Sequence, residues 1–515
     1  MKKRALVSVY DKEGIVDFCK ELCSLGYEII STGGTAKILR ENNIQIIEVS
    51  EITKFPEMLD GRVKTLHPII HAGILAQRQK KEHIDVLKKH SINFVDIVVC
   101  NLYPFEKTIE KKDVKIEEVI ENIDIGGPTL LRAASKNYKD VIVLCNPKQY
   151  PEVMKYLKSG KKLDLKIREK YAIYAFSYTA QYDSIISRYL GGIWREDFLP
   201  ENITFTMRKI QDMRYGENPH QKGAFFKSIP KTYEPCISNA VQLQGKELSF
   251  NNILDSDCAI ECIKEFSDST CVIIKHATPC GIASASNLLQ AWKNAYATDE
   301  YSPYGGIVSF NQEVGKAVAE ELSKYFLEVI IAPSFNKDAL SILEKRKNLR
   351  LLELKNLGKN IERKGLDIRS VVGGFLIQER DTYLSGNDKW KVVTDKKPTE
   401  NDLQSMEFAV KCVKHVKSNS VLFVKDTRTV AIGGGQTSRV DATWIATYKG
   451  KENIKDSIMA SDAFFPFRDA VDVAAKSGVK AIIQPGGSIR DEEVIRAADE
   501  YGISMVFSGQ RYFKH

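Results

Sequence analysis

At 515 residues, with 43% hydrophobic and 28% charged side chains, the chain has ordinary soluble globular composition and is too long for one core, so two to four domains are expected. Its net charge of +8 is mild over this length and suits anionic small molecules; no Arg/Lys tract with interleaved aromatics points to nucleic acid. No run reaches the roughly 18 apolar residues of a membrane span, and the apolar run after Met1-Lys2-Lys3-Arg4 is too short for a signal peptide, so no membrane association and a cytoplasmic location are expected.

Over the first 145 or so residues, short apolar strands alternate with amphipathic helices. Strands are predicted at Ala5–Val9, Tyr27–Ile30, Gln45–Val49, Val95–Cys100 and Val141–Cys145. The helical pattern Lys12–Leu25 carries Ile15, Phe18, Leu22 and Leu25 on one stripe. Such alternation predicts a doubly wound parallel sheet. A helical stretch over Leu163–Leu190 follows, with Tyr171, Tyr174, Phe176, Tyr178 and Tyr182 expected to pack against a neighbouring domain or subunit. The pattern breaks near Gly191–Pro200, where a domain boundary is placed.

The second part is again α/β. Strands are predicted at Cys271–Ile274, Ile307–Phe310, Val329–Ala332, Val371–Leu376, Val421–Val424, Lys480–Ile483 and Ile503–Phe507, and helices at Gln312–Phe326, Glu400–Val416 and Asp491–Tyr501. Two packed subdomains are expected, split in the charged stretch 335–365. Ten cysteines lie in apolar runs without a C-x-x-C pair and read as core residues of a reducing compartment.

Chemistry concentrates at strand ends. Ile29-Ile30-Ser31-Thr32-Gly33-Gly34-Thr35 runs a strand into a Gly-rich helix start, a cradle for an anion or phosphate, although it is not a Walker A loop. Ser8 and Lys12 mark a second such turn, and Arg62 and Lys64 add cations nearby, with the Thr65 hydroxyl beside them. Asn101 and Tyr103 follow the strongest strand of this half. Asp124 stands beside Gly126 and Gly127, whose amides could face an oxyanion, and Lys136 follows nine residues after Gly127. Taken singly, Asp124 reads better as an N-cap and Lys136 as a surface charge.

Further on, the apolar run Thr270–Ile274 ends in Lys275-His276, an electrophile beside a proton carrier, before Pro279 and Gly281 turn the chain. Pro279-Cys280 echoes the zinc deaminase signature, but the second cysteine is absent and no glutamate stands two residues after His276, so no zinc is expected. Ser418-Asn419-Ser420 precedes a strand. Gly433-Gly434-Gly435-Gln436 lacks dinucleotide spacing, and the segment Ser461–Asp469 joins aromatics, an arginine and two carboxylates in a mix suited to a flat heterocycle.

Together the strings STGGTAK, DGRVKTLHP, NLYPF, IDIGG, RYGENPHQ, KHATPCG, GGGQTSR and SDAFFPFRD closely resemble, in order, the AICAR transformylase/IMP cyclohydrolase family; the matching motifs run from Ser8 to Phe513, nearly the whole chain. The resemblance implies an α/β protein with a methylglyoxal-synthase-like doubly wound parallel sheet at 1–199 and a pair of cytidine-deaminase-like subdomains at 200–515. It implies formyl transfer from 10-formyltetrahydrofolate to AICAR, giving FAICAR, and then cyclodehydration of FAICAR to IMP. It further implies a homodimer with transformylase sites at the interface and no catalytic metal, a structural monovalent cation being a further candidate.

Carried onto this sequence, Ser8, Lys12, Ser31, Thr32, Gly33 and Gly34 would hold the nucleotide phosphate. Arg62, Lys64, Thr65 and Asn101 would bind the rest of it. Tyr103, Asp124 and Lys136 would be the acid/base and polarising groups, with the Gly126 and Gly127 amides steadying an oxyanion. In the second half, His276 would be the general base, Lys275 the charge stabiliser and Asn419 the group polarising the formyl oxygen. Arg214, Tyr215, Asn252, Gly305, Glu328, Arg511 and Phe513 would contact AICAR, with Phe464 and Asp469 on the folate side. Tyr10, Thr278 and Tyr304 depart from the family's usual residues, near these groups but not on them. The alternative reading is a transformylase with a non-catalytic, nucleotide-sensing N-terminal domain; the joint presence of Tyr103, Asp124 and Lys136 favours catalysis.

Overall fold

In the computed structural model, which describes residues 2–160, 163–194 and 199–515, five strands of the first unit line up in parallel. They are β1 (Lys3–Val9), β2 (Tyr27–Ser31), β3 (Ile46–Glu48), β4 (Ile97–Asn101) and β5 (Ile142–Leu144), in the order β3-β2-β1-β4-β5. Near-continuous burial of Ala5, Leu6, Val7, Val98 and Val99 is what a sheet covered on both faces demands. The helix Ile15–Ser24 lays Ile15, Phe18, Cys19 and Leu22 on that sheet. β3 stops before Val49 because Glu48 and Glu51 form a capping box that starts the short helix Val49–Thr53. The chain adds β2 and β3 on one side of β1 and then crosses to β4 on the other. A crevice therefore opens beyond the carboxyl ends of β1, β2 and β4.

The aromatic helix Leu165–Trp194 packs on its own unit: Tyr171, Ala175, Tyr182 and Ile185 enter the core around the sheet, whereas Tyr174 and Phe176 are exposed. Two of its phenols accept hydrogen bonds from crevice loops, Tyr178 from the Leu102 N–H (3.1 Å) and Tyr182 from the Asp124 N–H (2.8 Å). Of the segment expected to carry the domain boundary, residues 195–198 lie outside the described ones. The first compact unit comprises Met1–Arg208 with Ser228–Lys231, and the second Lys209–Lys227 with Thr232–His515. The strands β6 (Thr206–Met213) and β7 (Gly223–Ile229) pair as a two-stranded ribbon.

The second unit holds one twelve-stranded sheet. Its first half is β8 (Val241–Gln244), β9 (Ser269–Lys275), β10 (Thr278–Ala285), β11 (Gly306–Phe310), β12 (Leu327–Ala332) and β13 (Arg350–Glu353). After the hairpin of β14 (Leu366–Val371) and β15 (Gly374–Glu379) come β16 (Lys391–Val392), β17 (Val421–Lys425), β18 (Arg428–Gly433), β19 (Ile458–Ser461), β20 (Ala481–Gln484) and β21 (Ser504–Phe507). The order is β16-β21-β20-β19-β17-β18-β10-β9-β11-β12-β13-β8. Outward from the β10–β18 junction, where Ala283 pairs with Arg428, both halves repeat one pairing scheme: three antiparallel contacts are interrupted, between the second and third, by two parallel ones. The second half is a structural duplicate of the first. The helices Phe250–Ile263 and Glu400–Val413 open the two halves with capping boxes at Ser249/Asn252 and Thr399/Asp402, each pair 150 residues apart. Those two helices share one core on one face of the sheet, while each half has its own core on the other.

Several local expectations are corrected. Val371–Leu376 is not one continuous strand: Val371 ends β14, Gly374–Leu376 begin β15, and the chain turns between them at Gly373, which takes a left-handed φ of 86°. The chain does not leave the sheet at Pro279, since Thr278–Ala285 is itself a strand with a bulge at Pro279/Gly281. The helix expected at Gln312–Phe326 is limited to Lys316–Leu322. The stretch 335–365 contains a helix, Lys337–Leu343, and β13, so the first repeat runs on through Glu353.

Just past the paired helices, the equivalent residues Glu265 and His415 meet: His415 Nε2 lies 3.1 Å from Glu265 Oε1, and Arg363 grips the same carboxylate with two 3.0 Å bonds. Burial pushes His415 down to about 4 despite that carboxylate, so the imidazole is neutral in the folded state. The guanidinium, Lys414 and the imidazole N–H outweigh burial to hold Glu265 well below the usual carboxylate range. In the unfolded chain His415 takes up a proton near its ordinary pKa of ~6.5, so its contribution to stability is present above that pH and lost as pH falls toward 4. Urea titrations between pH 7.5 and 4.5 should show stability dropping by roughly 3 kcal/mol from this group. His415→Gln should flatten the profile between pH 6.5 and 4; an unchanged slope would remove His415 as its source.

Candidate active sites

The crevice of the first unit is a cavity of about 640 Å³ that gathers Ser8, Lys12, Thr32, Gly33, Gly34, Arg62, Lys64, Thr65, Asn101, Tyr103, Asp124, Gly126 and Gly127. Thr32, in extended conformation, precedes the helix Gly33–Glu41 without a side-chain cap, so the first amides of that helix point into the cavity unspent. Gly33 is needed there: its φ is 54°, and a β-carbon would sit 3.0 Å from Lys64 Nζ. Lys12 donates to Thr35 Oγ1 (3.1 Å) and to the Val9 carbonyl. Burial lowers its pKa, only partly offset by Asp11, so a bound anion would favour its charged form.

Across the cavity, Asp124 Oδ1 accepts the Gly127 N–H at 2.7 Å. Burial raises this carboxyl's pKa, with the Gly127, Tyr103 and Gly126 amides and Lys64 opposing it. A carboxyl whose pKa burial raises, in a crevice lined by cationic side chains, has the character of a proton-transfer group. Tyr103 stands at the mouth, edge-on to Tyr10 with ring centroids 5.8 Å apart. Arg62 closes the same mouth through an ion pair with Glu121.

Four expectations change. The Ser31 hydroxyl donates to the Val7 carbonyl (2.8 Å), fully buried, and does not line the cavity. Asn101 spends its side chain on the loop after β1, accepting from the Tyr10 and Asp11 N–H groups (2.6 and 2.8 Å) and donating to the Asp11 carbonyl. The Gly127 amide donates to Asp124 rather than standing free for an oxyanion. Lys136 is the last residue of the helix Gly126–Lys136, exposed and about 15 Å from the end that faces the cavity, so its own chain does not deliver it there.

In the second unit the Lys275-His276 pair sits at the tip of the β9–β10 hairpin. His276 and Ala277 form a two-residue turn with φ of 53° and 56°, the primed geometry usually left to Asn-Gly. Left-handed backbone costs an L-residue with a β-carbon about 1–2 kcal/mol, so the turn needs outside support. Asp255, on the helix Phe250–Ile263, supplies it by accepting the N–H groups of Ala277 (2.6 Å) and His276 (3.3 Å). Burial raises the Asp255 pKa against those amides and the nearby charges of His276 and Lys275. Lys275 Nζ donates to the carbonyls of Tyr304 (2.8 Å) and Gly305 (3.2 Å), and Gly305 is left-handed with no room for a β-carbon between Lys275 and Phe326. The imidazole of His276 is exposed.

One turn before Asp255, buried Asn252 caps its helix and donates to Glu328 (2.6 Å), which also faces Arg350 at 3.6 Å. The 214–221 loop comes to the same helix start through the Glu217 carbonyl and Asn251, with Arg214 lying over the Tyr215 ring.

Register brings a second cluster to the same sheet edge. Thr278 pairs with Lys275, Ala283 with Arg428 and Val421 with Gly433, so the loop before β17 emerges level with the hairpin tip. Three strand spacings separate them, about 14 Å. There Asn419 Oδ1 accepts from Arg439 (2.9 Å), and its Nδ2 donates to the Gln436 and Thr437 carbonyls (3.0 and 3.2 Å). Buried Arg439 also pairs with fully buried Asp462 (2.8 Å) and reaches the Phe464 carbonyl (3.1 Å), while Ser418 donates to Asp462. The C-terminal segment docks on this network through Tyr512 N–H to Asp462 and Ser418 N–H to Lys514, which places Arg511, stacked on Phe513, beside it. Asp469 starts the helix Asp469–Lys476 and accepts the Ala470 N–H at 2.8 Å.

Sequence reasoning does not reach Asp255, Arg350 or Arg439, and it gives Asp462 a ligand-facing reading where the structure buries it against Arg439. Asp255 lies three residues after Asn252, on the same helix face, and only that spacing could have pointed to it. Arg439 stands inside the motif GGGQTSR with no separate signal of its own.

Known proteins resemble the chain along its full length. The family described as the AICARFT/IMPCHase bienzyme matches residues 134–449, and the MGS-like domain matches residues 14–129, on the parallel sheet. The bifunctional purine biosynthesis protein PurH of Acetivibrio thermocellus is 52% identical over 515 residues, with all of both chains covered. Those of Caldicellulosiruptor saccharolyticus and a Thermoanaerobacter species are 51% and 52% identical, again over the whole of each chain.

Proposed function

The chain belongs to the AICARFT/IMPCHase bienzyme family, and from that premise we propose how its two sites divide the work. It is a bifunctional purine-biosynthesis enzyme with AICAR transformylase and IMP cyclohydrolase activities. Cyclisation is assigned to residues 1–199 and formyl transfer to 200–515. The observation that carries this division is that each unit has its own strand-end cluster of proton-handling groups.

In the cyclohydrolase site the free amides of the helix Gly33–Glu41, with Ser8, Lys12 and Thr32, take the nucleotide phosphate. Lys64 and Asp124 face the reacting end, with Tyr103 at the mouth. Asp124 in its proton-accepting form draws the proton from the carboxamide nitrogen as that nitrogen attacks the formamide carbon. Lys64 opposes charge on the formamide oxygen, which leaves as water after a second proton transfer. Because both reacting groups belong to one molecule, holding it folded supplies much of the acceleration.

In the transformylase site 10-formyltetrahydrofolate supplies the formyl group. His276 accepts the proton of the AICAR 5-amino group as the nitrogen attacks the formyl carbon. Lys275 opposes charge on the formyl oxygen, and a proton returned through the pair lets the folate nitrogen leave as an amine. With both its N–H groups spent on backbone carbonyls, Asn419 is assigned to shaping the loop rather than polarising the formyl oxygen. Phe464, partly exposed beside that loop, offers a face for the folate ring. A homodimer completing the transformylase sites belongs to the same reading and is tested by sedimentation velocity.

The test follows IMP optically from two starting points. The purified chain should convert AICAR plus 10-formyltetrahydrofolate to IMP, with or without a zinc chelator, and FAICAR alone to IMP without folate. Formylation without cyclisation of FAICAR would make the first unit a sensor. Gly33→Ala is expected to raise the KM for FAICAR about tenfold, equivalent to ~1.4 kcal/mol, and to leave formyl transfer unaltered. An unchanged KM would take the phosphate away from this helix start.

A further inference from the structure

The duplication inside the second unit supplies its own control experiment. Position 255 on the first-repeat helix corresponds to 405 on the second, and the turn His276-Ala277 corresponds to Asp426-Thr427, every pair 150 residues apart. In the first repeat the residue at this helix position is Asp255, whose two carboxylate oxygens hold the two backbone N–H groups of the turn at 3.3 and 2.6 Å. In the second it is Ser405, whose hydroxyl donates instead to the Asn401 carbonyl within its own helix, while Asn401 reaches the Asp426 side chain at 3.3 Å. The helix-to-hairpin architecture is common to both halves, so the carboxylate clasp is not what that architecture requires. It accompanies the turn that carries Lys275 and His276.

A neighbouring pair shows that equivalent positions can hold these elements together by other chemistry. Asn252 donates to Glu328 at 2.6 Å in the first repeat, and its equivalent Asp402 pairs with Lys480 at 2.6 Å in the second. The framework contact is kept in both halves with its charges rearranged, whereas the clasp on the turn is kept in one.

We propose that Asp255 is a positioning residue of the transformylase site: by gripping the His276 and Ala277 amides it holds the left-handed turn that aims the His276 imidazole at the substrate amine. This rests on His276 being the general base. Anchored through its backbone, the ring keeps its side-chain nitrogens free for proton transfer. A general base must stand within hydrogen-bond reach of its proton, and a displacement of about 1 Å can cost on the order of a hundredfold in rate.

The experiment compares Asp255→Ser, which installs the residue of the other repeat, with Asp255→Asn, which retains one acceptor oxygen for Ala277. Asp255→Ser should lower kcat for formyl transfer about 10- to 100-fold, with KM for AICAR within twofold and FAICAR cyclisation at the wild-type rate. Asp255→Asn should recover a substantial part of the loss. In a His276→Ala background, Asp255→Ser should cost nothing further, because it acts through that ring. Wild-type kcat in Asp255→Ser, a raised KM with kcat intact, or an additive loss in the double variant would each overturn the proposal. If His276→Ala itself kept formyl transfer, it is the general-base reading that would fall. If Asp255→Ser does not fold, Asp255→Asn decides alone: kcat equal to wild type would mean that the clasp on His276 is dispensable.

Discussion

Replacing His276 with alanine should lower formyl transfer by about 10²- to 10⁴-fold, the usual contribution of a positioned general base, while FAICAR is still cyclised at the wild-type rate. The variant removes an exposed imidazole and leaves the backbone grip of Asp255 in place. Alanine already occupies the next left-handed position, at 277, so the turn tolerates it. The fold should therefore be unaffected, and the loss should appear in kcat. The two activities lie in different units, so cyclisation is the internal reference in the same preparation. Formyl transfer within tenfold of wild type would remove His276 from the chemistry. Parallel loss of both activities in a folded variant would sink the two-site division.

The largest stability effect is expected at Arg439. Its guanidinium is buried against Asp462, the Asn419 side-chain oxygen and the Phe464 backbone carbonyl. Arg439→Met leaves Asp462 fully buried with its charge uncompensated, a loss of about 3–5 kcal/mol. The same change frees Asn419 and the docked C-terminal segment, so formyl transfer should fall with stability. Urea unfolding read by tryptophan fluorescence measures the first effect. The double variant Arg439→Met/Asp462→Asn separates the causes: with no buried charge left, it should be more stable than the single variant. A double variant at least as unstable as the single one would mean that packing of the long side chain, and not the ion pair, holds this region.

Most elements were legible because the signals for them are local. The stripe Ile15, Phe18, Leu22 marks a helix wherever it docks, and the apolar runs around Val7, Val98, Ile273 and Phe423 mark covered strands. The turn inside 371–376 and the strand at 278–285 are illegible for one reason: a glycine or a proline does not by itself say whether the chain turns or stays paired, and the deciding fact in both is which strand lies alongside. The duplication left little trace in the letters, since Ser249/Thr399 and Lys275/Lys425 match but His276/Asp426 and Asp255/Ser405 do not. Pairing schemes are conserved by geometry, not by residue identity.

The sequence by itself determined where chemistry could occur. The Gly33-Gly34 helix start, Asp124 before its glycines and Lys275-His276 after an apolar run are short-range patterns whose meaning lies in the bonds of neighbouring residues. Tertiary structure alone decided which of those groups are free to act. It spent Ser31 on Val7, Asn101 on the loop after β1 and Asn419 on Gln436 and Thr437, and it placed Lys136 at the far end of its helix. It also brought Asp255 to the His276 turn and Arg439 to Asp462. The physical reason is that a donor or acceptor is satisfied by whatever group the fold carries within about 3 Å, and in this sheet that group is often twenty to ninety residues away in the chain.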